Sequence, residues 1–188
     1  MAFRLRELSR SDLAEINRWR NEPGAVDRLG SPFRYVDSEV DSAWFNSYLS
    51  SRASNVRLAV CNEESAELLA VVYLLNIDVC SRHGELSIWI PDARHRGRGI
   101  GSFAMQGMLR HAFQDMNLHR VWLRVLAGNE TAIALYRKFG FREEGRHRDA
   151  VFKDGRYQDM LQMAILAPEY RVREAIQPEP EPERSHVL

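Results

Sequence analysis

Arg96-Gly97-Arg98-Gly99-Ile100-Gly101 is the stretch on which the reading of this chain turns. It follows an alternating segment, Gly84-Glu85-Leu86-Ser87-Ile88-Trp89-Ile90, that reads as a strand, and it opens into a helical pattern. A glycine turn at a helix start aims several backbone N–H groups at one point. Such a nest, at the positive end of a helix, binds phosphate. Arg94, Arg96 and Arg98 add charge at the same place. Two familiar phosphate loops are excluded by the residues themselves. A Walker A loop needs Lys and then Ser or Thr after the glycines, where Ile100-Gly101 stands. A dinucleotide fingerprint needs a strand that runs into its first glycine and an acid about 20 residues on; here arginines precede Gly97, and Asp115 ends a helix. A glycine-rich turn without a ligand is the other reading of this stretch taken alone.

Downstream, Met105, Met108, Leu109, Ala112, Phe113 and Met116 recur at helical spacing. They predict a helix over residues 101–115 whose methionines fill the core. Residues 120–125 read as a strand, and residues 129–139 as a helix stopped by Gly140. Residues 151–157 predict a hairpin turn into a last strand that reaches residue 166. Upstream, residues 3–6 alternate as a first strand, and Asp12-Leu13-Ala14-Glu15 has capping-box spacing at the start of a helix. Pro23-Gly24 and Gly30-Ser31-Pro32 mark a loop to about residue 36. A second helix covers residues 38–49, with Val40, Trp44, Phe45 and Tyr48 on one face. Residues 57–61 and 68–76 form a hairpin around Glu63-Glu64-Ser65. This mixed succession predicts one α/β domain over residues 1–167, with helices on both faces of one sheet. Residues 168–188, with Gln177-Pro178-Glu179-Pro180-Glu181-Pro182-Glu183, are predicted to be a disordered tail.

A chain of 188 residues with 45% hydrophobic content is long enough to bury one core. Its 26 basic and 26 acidic residues give no net basic face, which argues against nucleic acid as partner. No stretch is apolar enough to span a membrane, and residues 1–6 lack the apolar segment of a signal peptide. Cys61 and Cys80 read as free thiols of a cytoplasmic protein, and no histidine spacing argues for a metal site.

Four segments together resemble the GNAT family of N-acetyltransferases, in the branch that holds ribosomal-protein alanine acetyltransferases and amino-sugar acetyltransferases. They are the strand from Gly84, the glycine turn, Asn129-Glu130-Thr131-Ala132-Ile133-Ala134-Leu135-Tyr136-Arg137-Lys138-Phe139-Gly140-Phe141, and the hairpin through Phe152-Lys153-Asp154-Gly155-Arg156-Tyr157. The likeness runs over residues 3–166. It implies a mixed, mostly antiparallel central sheet that splits in the middle, and acetyl-CoA as cosubstrate with no metal. The pantetheine arm would pair with the backbone of Ile88, Trp89 and Ile90, as a strand adds to an open edge. The pyrophosphate would take N–H groups of the turn Arg96, Gly97, Arg98, Gly99, Ile100 and Gly101, and Asn129 would cap its helix and touch the cofactor arm.

Acetyl transfer from a thioester to an amine needs a neutral amine, a donor for the tetrahedral oxyanion and a proton for the departing thiolate. Tyr136 stands where the resemblance implies the proton donor, although Ile133, Leu135 and Phe139 around it equally suit a core tyrosine. A backbone amide near Trp89 or Ile90 would serve the oxyanion. Glu85 is the candidate base, shares a strand face with Ser87 and Trp89, and is as readily a solvent-facing carboxylate paired to an arginine. The acceptor would lie against Trp19, Arg20, Asn21, Phe33, Tyr35 and Tyr73. The Trp19-Arg20-Asn21 element resembles one in amino-sugar acetyltransferases and in some alanine acetyltransferases, and the leading expected acceptor is the primary amine of a small molecule, first an amino sugar or nucleotide-linked amino sugar. A protein N-terminus, an amine-bearing antibiotic and a non-enzymatic acetyl-CoA-binding role are the alternatives, and a homodimer is compatible with the family. An acidic cleft would favour a polycationic antibiotic, and an arginine-lined cleft a nucleotide sugar.

Overall fold

Residues 2–176 are described in a computed structural model, and they contain a seven-stranded sheet in the order β1-β2-β3-β4-β5-β7-β6. The strands are β1 Phe3–Glu7, β2 Val56–Asn62, β3 Leu68–Asp78, β4 His83–Trp89, β5 Arg120–Leu126, β6 Arg142–Lys153 and β7 Arg156–Leu166. Every neighbouring pair is antiparallel except β4 and β5. That parallel pair holds only at His83–Arg120, Gly84–Val121 and Glu85–Trp122, after which the strands part. The expected mixed sheet with a central split is therefore present.

Both faces of the sheet are buried, which is why β3 reads as an almost continuous apolar run. Alternation along β2 divides the core: Val60 packs on one side with α4 (Ile100–Arg110), while Ala59 and Cys61 face α1 (Leu13–Arg20) and α3 (Ser38–Ser50). The methionine stripe of α4 is core, with Met105 and Met108 fully buried. A π-helical turn, His111–Asp115, extends α4 to the length the spacing predicts. The helix α5, Glu130–Lys138, ends as its Gly140 suggests: Gly140 has φ +89°, Phe141 N–H donates to Tyr136 O and Gly140 N–H to Arg137 O, both at 3.0 Å.

Four expectations need correction. The helix start near Asp12 is capped one turn earlier than its spacing suggests, by a 3₁₀ turn Arg10–Asp12. Asp12 is 6% exposed and its carboxylate accepts from Ser9 N–H (2.8 Å) and the Arg6 guanidinium (2.6 and 2.7 Å), so it closes a cap rather than opening one. Pro23 starts a short helix, α2 Pro23–Val26, because proline in a first turn forfeits no hydrogen bond. The edge strand β6 runs back to Arg142; nearly all of it is exposed, so no apolar alternation announces it. The predicted tail begins as helix α6, Ala167–Ile176, whose Tyr170 is buried and stacks on Phe113 at 4.8 Å. The rest of that predicted tail, residues 177–188, lies outside the described residues. No helix among those described is long and apolar enough to cross a membrane, and Cys61 and Cys80 are free.

Burial alone would raise the Asp12 carboxyl, but hydrogen bonds from Arg6 and Ser9 outweigh it and hold it below its ordinary value. A depressed carboxyl adds stability that is present above the unfolded value and lost as pH falls through the folded one. Asp12→Ala should therefore cost about 2 kcal/mol near neutral pH, the worth of its charge-assisted contacts. Denaturant melts of both proteins between pH 7 and about pH 3 check this. The gap should close on acidification, and a pH-independent gap contradicts the pairing.

Candidate active site

The edge of β4 that β5 leaves open faces a cavity of about 590 Å³. Ser87, Ile88, Trp89 and Ile90 form one wall, and Arg124, Val125, Asn129 and Tyr136 the other. The glycine turn closes one end. Gly97 and Gly99 have φ of +73° and +88°, a left-handed backbone that side chains other than glycine resist. Gly101 is needed for room, since a Cβ there would sit 3.0 Å from Leu135 Cδ2. Arg28, Arg96 and Lys138 line the same cavity, so its walls carry cations beside the N-terminus of α4. Arg96 donates to Ile90 O (3.4 Å) and Pro91 O (3.0 Å), and burial beside Arg28 draws its guanidinium below the ordinary value. Arg98 is not among the lining residues, and the Ile100 side chain is 1% exposed in the core, which leaves only its amide to face a ligand.

Tyr136 is 6% exposed, packs at 5.9 Å from the Phe141 ring and reaches the cavity. Its hydroxyl has no hydrogen-bond partner among the described residues. Burial pushes the phenol above its ordinary value. Asn129 caps α5 as expected, accepting from Ala132 N–H at 3.3 Å, and its amide donates to Arg28 O at 3.3 Å. Glu85 stands at the point where the strands part. Asn76 donates to it at 3.1 Å and Arg124 lies 3.4 Å away, and its side chain lines neither cavity.

A second cavity of about 320 Å³ shares Leu29, Ser87 and Trp89 with the first. Arg20, Phe33, Arg34 and Tyr73 line it, so three of the six predicted acceptor residues meet there. The other three do not. Trp19 is 3% exposed, crosses Trp89 edge-on at 5.5 Å and donates to Glu15, so it is core. Asn21 spends its amide on the loop, accepting from Val36 N–H (2.9 Å) and donating to Val36 O (2.7 Å). Tyr35 is 87% exposed and lines neither cavity. An amphipathic side chain in a loop carries no sequence signal for which way it turns.

Sequence reasoning missed Lys153. From the β6–β7 turn its buried ammonium donates to Val26 O (2.5 Å), Leu29 O (3.0 Å) and Ser31 O (3.5 Å), fixing the loop that walls both cavities. Desolvation draws its pKa down. The partners lie 122 to 127 positions away in the chain, beyond any local pattern.

Comparison with known proteins agrees with this geometry. Residues 3–142 match the family model for the acetyltransferase (GNAT) domain. A spermidine N(1)-acetyltransferase of Vibrio cholerae is 31% identical over 167 residues, 88% of this chain and 94% of that protein. The spermidine N-acetyltransferase from Vibrio cholerae in complex with CoA and spermine superposes with a TM-score of 0.83 at 29% identity, covering 90% and 98% of the two chains. These relatives act on spermidine by name, not on alanine termini or amino sugars, which corrects the expected branch. The expectation of no metal is also corrected. A spermidine/spermine N-acetyltransferase from Vibrio cholerae, TM-score 0.76 and 29% identical over 91% of this chain and 96% of that one, was solved in complex with manganese ions.

Replacing Gly99 by valine forces a side chain into the left-handed region at a strain of about 1–2 kcal/mol. It also turns the nest away from its target, and one lost charge-assisted contact is worth about 1.5–3 kcal/mol. CoA affinity should fall more than about tenfold while the variant stays folded. Calorimetry with thermal unfolding measures both, and unchanged affinity in a folded variant contradicts the placement.

Proposed function

The chain belongs to the GNAT acetyltransferase family and is an acetyl-CoA-dependent N-acetyltransferase; on that premise we propose that acetyl-CoA fills the larger cavity and a small primary amine the smaller one. The observation that carries this reading is the shared wall. Ser87 and Trp89 line both cavities beside the free edge of β4, so an acyl group in one and an amine in the other meet there. The free amides of that edge would pair with the cofactor arm and polarise the thioester carbonyl. Spermidine, the substrate named for the Vibrio cholerae relative, supports a flexible aliphatic amine as the acceptor class. A cavity of about 320 Å³ is at the small end of ligand sites, which fits such a molecule better than a nucleotide-linked sugar.

In this reading Tyr136 gives its proton to the CoA thiolate as the C–S bond of the tetrahedral intermediate breaks. Burial raises its pKa above the ordinary phenol value, so the phenol keeps that proton through the neutral range. Glu85 takes the proton of the acceptor ammonium through water, with Arg124 beside it as counter-charge. Acetyl-CoA consumption across aliphatic amines, amino sugars and short peptides tests the acceptor class; turnover of peptides alone would contradict it.

Tyr136→Phe should slow the chemical step about 10²- to 10⁴-fold with little change in CoA affinity. Single-turnover kinetics decide, and a full rate returns Tyr136 to the core. Glu85→Gln should lose most activity near pH 7 and regain part of it at high pH, where more amine is already neutral. A pH–rate profile identical to the parent's removes Glu85 from the mechanism.

A further inference from the structure

The smaller cavity carries the wrong charge for a polycation. Arg20 and Arg34 are its only ionisable side chains that are charged at neutral pH, and no carboxylate lines it. The acid paired with Arg20, Asp41, is fully buried and already committed to Asn17 (2.7 Å) and Arg20 (2.8 Å). Arg20 meets Asp41 as a charge pair without an aligned hydrogen bond, since Asp41 Oδ1 accepts none. Arg34 forms no ion pair and, like Arg20, makes no hydrogen bond among the described residues. Two guanidinium groups therefore keep unspent donors on one small cavity. A third, Arg57, lies behind it, 4.9 Å from the Tyr73 ring that forms part of the wall. Asp41 offsets one of these three charges.

Guanidinium N–H groups fork onto oxyanions, and repel a second ammonium. We propose that the acceptor is a primary amine that also carries an oxyanion, a carboxylate or a phosphate ester, held by Arg34 and Arg20 while its amine reaches the shared wall at Ser87 and Trp89. This rests on the acetyltransferase reading above and narrows its acceptor. Phe33 and Trp89 supply the apolar sides of the cavity for the carbon chain between the two groups.

The test is a steady-state comparison of four amines with acetyl-CoA: n-butylamine, spermidine, 4-aminobutyrate and O-phosphoethanolamine. The oxyanion-bearing amines should exceed butylamine and spermidine at least tenfold in kcat/KM, and the margin should shrink with added salt. The two oxyanion arms separate carboxylate from phosphate. Arg34→Gln changes an exposed loop side chain, so it should fold, and it should raise KM for the preferred amine about tenfold while leaving the margin over butylamine much reduced. Preference for spermidine, or an Arg34→Gln variant with an unchanged margin, overturns the inference and leaves the acetyltransferase reading standing. CoA binding by calorimetry with turnover of neither oxyanion-bearing amine also overturns it. Failure to bind CoA at all would instead strike the placement of the cofactor.

Discussion

Beyond the Glu85–Trp122 pair, β4 and β5 exchange no further ladder contacts, and the rest of the molecule is arranged around that divergence. Backbone N–H and C=O groups withdrawn from a sheet must find other partners, because leaving them unpaired in a low-dielectric site costs free energy. Here β3 occupies one edge of β4 through Val71–Trp89 and Val72–Ile88. The other edge faces the larger cavity, and β5 is paired to β7 along its whole length. A well-paired sheet lies on either side of the opening. A ligand with its own amide groups completes the ladder, which is how a strand-like cofactor arm gains both affinity and a fixed register.

The second wall of the site depends on one loop, and that loop is held by side chains rather than by a ladder. Asn21 clamps Val36, Trp89 donates to Ala25 O at 2.7 Å, Asn129 reaches Arg28 O and Lys153 gathers three carbonyls from below. Each of these partners comes from a different element, so the smaller cavity, the larger cavity and the β6–β7 hairpin form one mechanical unit. The buried cost of the Lys153 ammonium is offset only while all three carbonyls stay in place. Position in the loop is thereby coupled to the β6–β7 turn.

Legibility in the sequence followed the physics of each element. Where one face buries, as in α4, periodicity disclosed it, and where both faces bury, as in β3, an apolar run did; where a glycine ends a helix, as at Gly140, the local chemistry did so. The edge strand β6 is solvated on both faces and so has no period to read. Helix α6 was hidden by the Pro/Glu composition of the residues after it, although Pro168 in its first turn was a usable signal. On the larger cavity, the positions of the glycine turn, Asn129 and Tyr136 were legible because backbone geometry or helix position constrains them. Trp19 and Asn21 were misread as acceptor contacts because a motif specifies residue type and not which way a side chain turns. Lys153 escaped because its role exists only in the folded contact with residues 26–31.

Amide hydrogen exchange along β4, with and without CoA, tests the central claim most directly. If the free edge is the cofactor's seat, CoA slows exchange at Ile88 and Ile90 by at least about tenfold while His83 and Gly84, already paired to β5, change little. Protection confined to the glycine turn, or absent from β4, would contradict the account of the split sheet.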